Sequence, residues 1–381
     1  MNTLFPIGIF LSFFFQFLLI TKKRVSLPDK ILAVWMFLFG LHLFSYYLHY
    51  LGYWEVYPHL SGLHHPFPLL HGPFLYLYVR FSLQSDQHFS RQNYLHFIPA
   101  LLCYLYMIPF LFFYSAEEKL LVNQGMTDDY ATFITLSVFA FILSAVSYAV
   151  ASFRLVKQYD ELAGQNFANL EQIDLIWLRN FILGMGCTFS FAILFLLLEE
   201  GFGMDFGFNT DLVFYLLLIT FIIYLGYSGI RHQSIFTDSD ETAVQIAQPK
   251  STAEYARSGL KDADALRYHQ QLLELMKTRK PYLEPKLTLS SVADDLGVSV
   301  NHLSQLINQY EQKNFFDFVN LYRVEEFKQR AADPANMNFN ILSVAFDCGF
   351  NSKSAFNQVF KKFTGKTPSQ FLTEQKQGMA G

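Results

Sequence analysis

Long runs of hydrophobic residues, separated by short polar stretches, fill the first 231 positions of the chain. Each run approaches the roughly 20 residues that a helix needs to cross the hydrocarbon core of a bilayer. Because lipid offers no hydrogen bonds to an open backbone, these runs are predicted to be helices. They are residues 4–20, 31–53, 67–83, 94–114, 131–153, 176–198 and 212–230. Residues 1–231 are therefore predicted to form a polytopic transmembrane bundle of about seven helices.

The pattern changes after position 231. Residues 232–262 contain no long apolar run and are predicted to be a polar cytoplasmic linker. From residue 263 to residue 376, apolar positions recur at helical spacing among many polar ones, which indicates amphipathic helices in water. The fold class is therefore all-α: a membrane bundle followed by a second, water-soluble helical domain.

Lysine and arginine near the ends of membrane spans favour the cytoplasmic side. With the N-terminus outside, the alternate loops predicted to be cytoplasmic contain nine of these residues, and the opposite loops contain only Lys119. An odd number of spans then places the C-terminal domain in the cytoplasm. The nine are Lys22, Lys23, Arg24, Lys30, Arg80, Arg91, Arg154, Lys157 and Arg179.

Two segments of the C-terminal domain, residues 288–299 and 340–352, repeat one pattern 52 positions apart. Each begins with a capping residue and a short helix, places a small alanine where another helix can approach, and then has a glycine suited to a left-handed turn. Further helices are predicted at 299–310 and 352–363, with a long connecting helix at 315–332. This is the pattern of two helix-turn-helix units, with Ala293 and Gly297 in the first and Ala345 and Gly349 in the second.

The sequence GFNSKSAFN at 349–357, FKKFTGKTPSQ at 360–370 and the triplet Tyr322-Arg323-Val324 resemble the signature of AraC-type (AraC/XylS) transcription regulators. The resemblance covers about residues 263–375. It implies a seven-helix domain that binds promoter DNA, works as a dimer or on paired sites, and recruits or positions RNA polymerase.

By this resemblance, the base-contacting positions are Asn301 and Gln305 in the first unit and Lys353, Ser354 and Gln358 in the second. Asn and Gln can pair with adenine, and Lys can donate to guanine. The phosphate-contacting candidates are Lys361, Lys362 and Lys366. On a lone helix, such lysines would be interpreted as a solvated face. Beside two helix-turn-helix units, contact with DNA is the favoured interpretation.

One departure from the family is visible. Where the family commonly has a glycine after the first recognition helix, residues 309–312 read Gln-Tyr-Glu-Gln. The sequence therefore does not determine where that helix ends.

Other chemistry is sparse. A net charge of −4 gives no global attraction to nucleic acid, and the three cysteines are scattered, so they are interpreted as packing residues and no cofactor is predicted. Histidines offer the one candidate metal cluster: His64, His65 and His71. No carboxylate or cysteine completes a recognisable ligand spacing, so hydrogen bonding is the favoured interpretation.

These patterns favour a membrane-anchored transcription regulator that is not an enzyme. Its bundle would sense an unknown ligand or membrane partner, and its C-terminal domain would bind double-stranded promoter DNA, with a homodimer as one option. The alternative is an intramembrane enzyme or transporter with an autoregulatory DNA-binding tail, for which the histidines are the main support. A third hypothesis is that proteolysis releases the tail.

Overall fold

The computed structural model describes residues 3–83, 88–169, 175–231, 262–333 and 340–380. The chain packs as two units, one comprising Met1–Lys157 and Leu175–Ala243 and the other Gln158–Asp174 and Val244–Gly381. In the described ranges the regular structure is helical, with one isolated β-bridge between Phe167 and Thr288. The predicted linker at 232–262 lies outside the described residues apart from Asp262, which begins a helix.

The first unit contains all seven predicted apolar segments, and each is mostly helical. Between them, α3 and α6 are short helices in the intervening polar segments. The helices are α1 (Leu4–Ile20), α2 (Leu27–Tyr50), α3 (Tyr53–Val56), α4 (Pro68–Leu83), α5 (Ile98–Phe112), α6 (Ala116–Asn123), α7 (Ala131–Asn166), α8 (Ile176–Leu196) and α9 (Thr210–Arg231).

By length and composition, four helical stretches in the described part could cross a membrane: Leu27–Tyr50, Arg91–Phe112, Ala131–Asn166 and Trp177–Glu199. Leu4–Ile20 and Thr210–Leu225 are apolar but shorter. At 1.5 Å per residue, a helix of 17 residues such as Leu4–Ile20 is about 26 Å long, slightly less than a 30 Å hydrocarbon core. Four candidate spans are therefore found, rather than the seven expected.

The surface of the first unit is unusually apolar. Phe112 and Phe113 are 76% and 79% exposed, and Leu136, Phe139 and Leu143 of α7 also face outward. In water, contiguous apolar surface of this kind is rare on a monomer. The interior is built around α2, where Trp35, Met36 and Phe39 are among the fully buried side chains.

Helix α7 is longer than the sequence predicts. It was expected to end near residue 153 but continues through Asn166, so its last turns belong to the second unit. Its polar continuation after Phe153 carries helix-forming residues such as Arg154, Leu155 and Lys157, and helix propensity does not require a hydrophobic run.

The second unit contains two small hydrophobic cores. One, around Val292, Leu303 and Phe318, supports the first helix-turn-helix, and the other, around Phe327, Phe356 and Phe360, supports the second. The helices are α10 (Asp262–Thr278), α11 (Leu289–Leu296), α12 (Val300–Leu306), α13 (Phe315–Ala332), α14 (Ile341–Asp347), α15 (Lys353–Thr364) and α16 (Pro368–Ala380).

Candidate DNA-binding surface

The first helix-turn-helix unit consists of α11, a turn at Gly297 and α12. The hydroxyl of Thr288 accepts a hydrogen bond from the Ser291 amide at 3.2 Å, and Ser299 caps α12 by accepting from the His302 amide at 3.2 Å. Gly297 has φ +65°, the left-handed conformation that a glycine adopts most easily. These local interactions fix the angle at which α12 leaves the turn.

The first recognition helix ends in an unusual way. After α12 the chain continues as a π-helical turn, Ile307–Glu311, and stops at Gln312, which has φ +55°. Gln312 therefore takes the left-handed conformation at the position where the sequence lacks the expected glycine. Its side-chain amide donates to the carbonyl of Gln309 at 2.9 Å.

The second helix-turn-helix repeats the arrangement, with α14, a turn at Gly349 and α15. Ser352 caps α15 by accepting from the Ala355 amide at 3.2 Å, and Gly349 has φ +90°. A Cβ on Gly349 would lie 2.3 Å from the carbonyl oxygen of Tyr282 and 2.9 Å from Nε of Arg323. The turn at Gly349 thus touches the backbone that precedes the first helix-turn-helix, which joins the two helix-turn-helix motifs within the second unit.

The predicted base-contacting residues differ in how they are presented. Asn301, Lys353, Ser354 and Gln358 are exposed, and in α15 the positions 354 and 358 lie one turn apart on one face. Gln305 is only half-buried, but its Oε1 is enclosed and has no hydrogen-bond partner in the described part of the chain. Gln305 would have to change rotamer to present both its amide atoms to a base.

The three predicted phosphate-contacting lysines are all exposed. Lys362 forms an ion pair with Asp317 at 2.6 Å, and Lys366 pairs with Glu374. Exposed pairs of this kind contribute about 1 kcal/mol or less, so a phosphate can displace the carboxylate at small cost. The ion pairs are therefore compatible with a phosphate-binding role.

Arg323 of α13 is the centre of the second unit and is only 1% exposed. Its Nε donates to the carbonyl of Tyr282 at 2.8 Å and its Nη2 to the carbonyl of Glu284 at 2.8 Å. Burial lowers the pKa of Arg323 to about 10, so the guanidinium stays charged at neutral pH. The sequence prediction used Arg323 only for the family resemblance and missed this role.

A second buried charge on α13 stabilises the same junction. The carboxylate of Glu326 accepts hydrogen bonds from Lys280 Nζ at 2.8 Å, Tyr282 Oη at 3.0 Å and Arg330 Nε at 2.8 Å. Burial acts to raise the pKa of Glu326, but these three donors keep it below its usual value. In the sequence, Arg323 lies four positions before the inward-facing Phe327. This helical spacing is the one feature that places a charged side chain of α13 on the buried face.

The last turn of α7 and the residues after it also belong to this unit. Ala168 is 1% exposed; its amide donates to the Leu287 carbonyl at 3.2 Å. Its own carbonyl accepts from Asn320 Nδ2 at 3.0 Å and from Arg323 Nη1 at 3.1 Å. Residues 167–169, which we call the docked segment, thus complete the hydrogen bonds of the buried arginine. No local pattern in the sequence predicts this contact.

In the first unit, the histidines form a hydrogen-bonded chain. Trp35 Nε1 donates to His71 Nδ1 at 3.0 Å, His71 Nε2 lies 3.1 Å from His42 Nδ1, and His42 Nε2 lies 3.0 Å from the Tyr215 hydroxyl.

The predicted cluster of His64, His65 and His71 is not brought together as a ligand set. His71 is used in the chain, and His65 Nε2 lies 2.9 Å from the Ser137 hydroxyl. Across the described ranges, no group of three or more His, Cys, Asp or Glu residues is placed to hold a metal ion.

Comparison with known families assigns the C-terminal part. A family model described as a helix-turn-helix domain matches residues 292–374. An uncharacterized HTH-type transcriptional regulator of Staphylococcus aureus (strain COL) is 32% identical over 97 residues, covering 24% of this chain and 13% of that protein. The uncharacterized HTH-type transcriptional regulator YpdC of Escherichia coli (strain K12) is 31% identical over 90 residues, covering 24% of this chain and 30% of that protein.

The prediction of an AraC-like helix-turn-helix domain at the C-terminus is therefore confirmed. The chain spans less than a third of the length of either relative. The family model, at residues 292–374, does not extend into the apolar first unit. No solved structure matches the chain.

Proposed function

We propose that the chain is a membrane-anchored, sequence-specific DNA-binding transcription regulator of the AraC type. The observation that carries this proposal is the pair of helix-turn-helix units joined through one buried junction, with the outer faces of α12 and α15 open to solvent. Two recognition helices on one body can enter successive major-groove segments of promoter DNA.

The base-reading residues we propose are Asn301 and Gln305 on α12 and Lys353, Ser354 and Gln358 on α15. Asn and Gln suit adenine, and Lys suits guanine. We propose Lys361, Lys362 and Lys366 as phosphate contacts that set register and add salt-dependent affinity. The partners expected from this class are RNA polymerase and a second copy of the chain.

For the first unit we propose a seven-helix bundle in the bacterial inner membrane, with the N-terminus outside and the C-terminal unit in the cytoplasm. The outward-facing apolar side chains of α5 and α7 support a lipid environment. The excess of lysine and arginine on alternate loops supports the orientation. The bundle then acts as the sensor, and we propose no catalytic role for it.

The test uses the full chain in lipid nanodiscs, because the docked segment is part of the second unit and would be missing from an isolated tail. Genomic fragments that the tagged protein retains are sequenced, and a recovered site is footprinted. We expect a discrete protected site with two halves. Retention that is uniform across sequences at moderate salt would contradict the proposal.

Lys353→Ala is the sharpest variant for the base-reading role. We expect it to weaken binding to the recovered site by roughly 1–3 kcal/mol and to leave non-specific binding nearly unchanged. Lys362→Ala should weaken all sequences alike and lower the salt dependence by about one phosphate contact. Lys277→Ala, at an exposed position on α10, is the matched control and should change neither quantity. An equal loss on every sequence for Lys353→Ala would remove it from the base-reading set.

A further inference from the structure

The first unit contains a cavity of about 440 Å³ that DNA binding does not use. That volume lies within the range of small-molecule sites in proteins. Helices α2, α7, α8 and α9 and the segments between them contribute to its wall. Its polar lining comprises His42, Tyr46, His49, Trp54, His64, His65, Glu199, Thr210, Asp211 and Tyr215.

Two polar atoms of the lining residues are buried without a partner. Trp54 Nε1 and His64 Nδ1 have no hydrogen bond in the part of the chain that the structure describes, and their rings lie 4.9 Å apart. An indole N–H can only donate. A buried donor left unpaired costs about 1–3 kcal/mol, so a hydrogen-bond acceptor entering the cavity would recover that energy.

The histidine chain adds a further donor. Because Trp35 can only donate, His71 Nδ1 must accept, and a neutral His71 then donates from Nε2 to His42 Nδ1. A neutral His42 donates in turn from Nε2 to the Tyr215 oxygen. The Tyr215 hydroxyl is thereby left with its own proton to donate, at the wall of the cavity.

The charges of the lining are all of one sign. Glu199 and Asp211 line the cavity, and its described lining includes no lysine or arginine. Glu199 Oε2 accepts from the Thr210 hydroxyl at 2.6 Å, which fixes that carboxylate at the wall. Phe141, Phe195 and Phe214 add aromatic surface, which attracts cations through the ring faces.

We propose that this cavity is the signal-binding site and that it takes a small organic ammonium ion that also carries a hydrogen-bond acceptor. The ammonium group is held by Glu199 and Asp211 among the aromatic rings, and the acceptor receives the protons of Trp54 and Tyr215. The proposal deepens the sensor role within the proposed function and rests on it. The lining recognises this class of ligand by the charge of its two carboxylates and by the hydrogen-bond donors that face the acceptor.

The probe is 2-amino-1-phenylethanol, an ammonium ion with a neighbouring hydroxyl. Its matched analogues are 1-phenyl-1,2-ethanediol, which replaces the ammonium by a neutral group, and mandelate, which replaces it by an anion. Binding to the full chain in nanodiscs is measured by calorimetry without DNA. Failure here is therefore distinguishable from failure of the DNA-binding proposal, which the footprint of the same preparation reports separately.

We expect the ammonium probe to bind at least about tenfold more tightly than either analogue, as charge-assisted hydrogen bonds require. Glu199→Gln and Asp211→Asn should each remove most of that preference. Glu55→Gln, an exposed carboxylate outside the cavity, is the control and should preserve it. Elution of each variant at the wild-type position in size-exclusion chromatography shows that its bundle is folded.

The acceptor is tested with 2-phenylethylamine, which lacks the hydroxyl. Wild-type protein should prefer the hydroxylated probe, and Trp54→Phe should reduce that difference while keeping the preference for the ammonium group. Equal binding of mandelate and the ammonium probe, equal loss in Glu55→Gln and Asp211→Asn, or no saturable binding at millimolar concentration would each overturn the proposal.

A second inference rests on a separate observation, the docked segment. Three hydrogen bonds join Ala168 to Leu287, just before α11, and to Asn320 and Arg323 of α13. Phe167 also bridges to Thr288. Helix α7, which precedes it, also lines the cavity through Val138, Phe141 and Ile142. We infer that the docked segment is a second attachment of the DNA-binding unit, independent of residues 232–261, through which α7 acts on that unit.

The test is a disulfide between Phe167→Cys and Thr288→Cys in full-length protein whose exposed Cys187 is replaced by serine. Paired residues of an antiparallel bridge have Cα atoms within the range that a disulfide spans. We expect rapid cross-linking in membranes, unchanged when ten Gly/Ser residues are inserted within 232–261. The control pair is Phe167→Cys with Lys366→Cys, which lies beyond the second recognition helix.

The functional arm uses Ala168→Glu, which places a charge where a buried methyl group lies. We expect loss of the 167–288 cross-link and altered expression from the regulated promoter in cells, whereas the Gly/Ser insertion changes neither. Ala332→Glu, at an exposed position, is the matched control. Cross-linking at the rate of the control pair, or promoter output that follows the insertion and ignores Ala168→Glu, would overturn the inference.

Discussion

The two units of this chain place polar and apolar side chains in opposite ways. The first unit turns phenylalanine and leucine outward and keeps a hydrogen-bonded chain of Trp35, His71, His42 and Tyr215 inside. The second unit exposes lysine, asparagine and glutamine and gathers its apolar rings into two cores. The environments proposed for the two units account for the difference, because lipid favours apolar surface and water favours polar surface.

Both units nevertheless bury polar groups, and they do so for different physical purposes. The bundle buries neutral rings, each of which donates a hydrogen bond to the next ring in a chain. The second unit uses formal charges, with Arg323 and Glu326 each meeting several partners. Removing one partner from a buried charge is costly, whereas a neutral hydrogen bond contributes about 1 kcal/mol. Variants of the charged network in the second unit are therefore expected to lose more stability than variants of the histidine chain in the first.

The largest effect is expected at the junction of the two helix-turn-helix units. Gly349→Ala should destabilise the second unit by about 3 kcal/mol or more, because the added Cβ meets the Tyr282 carbonyl at 2.3 Å and φ is positive. Gly297→Ala, which meets nothing within 4 Å, should cost only about 1–2 kcal/mol. Pulse proteolysis in urea of the full chain measures both. Equal losses would mean that the junction is not rigid.

The next effect is the acid sensitivity of the Glu326 network. The pKa of Glu326 lies below its usual 4.5, so the stabilisation is complete above that value and is lost as the pH falls through the lower folded pKa. Glu326→Gln should lower stability at pH 7 by roughly 1.5–3 kcal/mol and flatten the acid limb of the stability profile. Glu325→Gln, exposed on the same helix, is the control. A profile for Glu326→Gln parallel to the wild type would contradict the assignment.

In the bundle, Trp35→Phe leaves His71 Nδ1 without its donor. We expect a loss of about 1–2 kcal/mol, seen as earlier thermal reaction of buried Cys103 with a thiol dye in a variant lacking the other cysteines. Trp177→Phe removes the same atoms from a half-buried ring and serves as the control. No difference between the two variants would show that the chain has no fixed donor direction.

The smallest effect is expected at Gln312, whose φ of +55° is strained for a residue with a side chain. Gln312→Gly should change stability by no more than about 1 kcal/mol, in the stabilising direction, because relief of the left-handed strain is partly offset by the greater freedom of glycine when unfolded. The same urea measurement applies, with Gln309→Gly as the control inside the π-helical turn. Destabilisation by Gln312→Gly would show that its side-chain hydrogen bond outweighs the strain.

Sequence reasoning succeeded where the determining interactions are local. Apolar runs located the seven helical segments, and the alanine, glycine and capping residues located both helix-turn-helix units, with the connecting helix at 315–332 confirmed. It failed where contacts join distant positions. Asn320 and Ala168 are 152 positions apart, and no periodicity links them. The enclosed Oε1 of Gln305 and the chain from Trp35 to Tyr215 likewise depend on tertiary packing.

The close approach at Gly349 has a consequence for the promoters that such a protein can use. Under the proposed function, α12 and α15 contact DNA as parts of one body, so the two half-sites must keep a fixed spacing and a fixed face of the duplex. Inserting one base pair between them would turn one half by about 35° relative to the other, since B-DNA repeats every 10–10.5 base pairs. The proposed function therefore implies that a regulated promoter tolerates base substitution within a half-site but not insertion or deletion between half-sites.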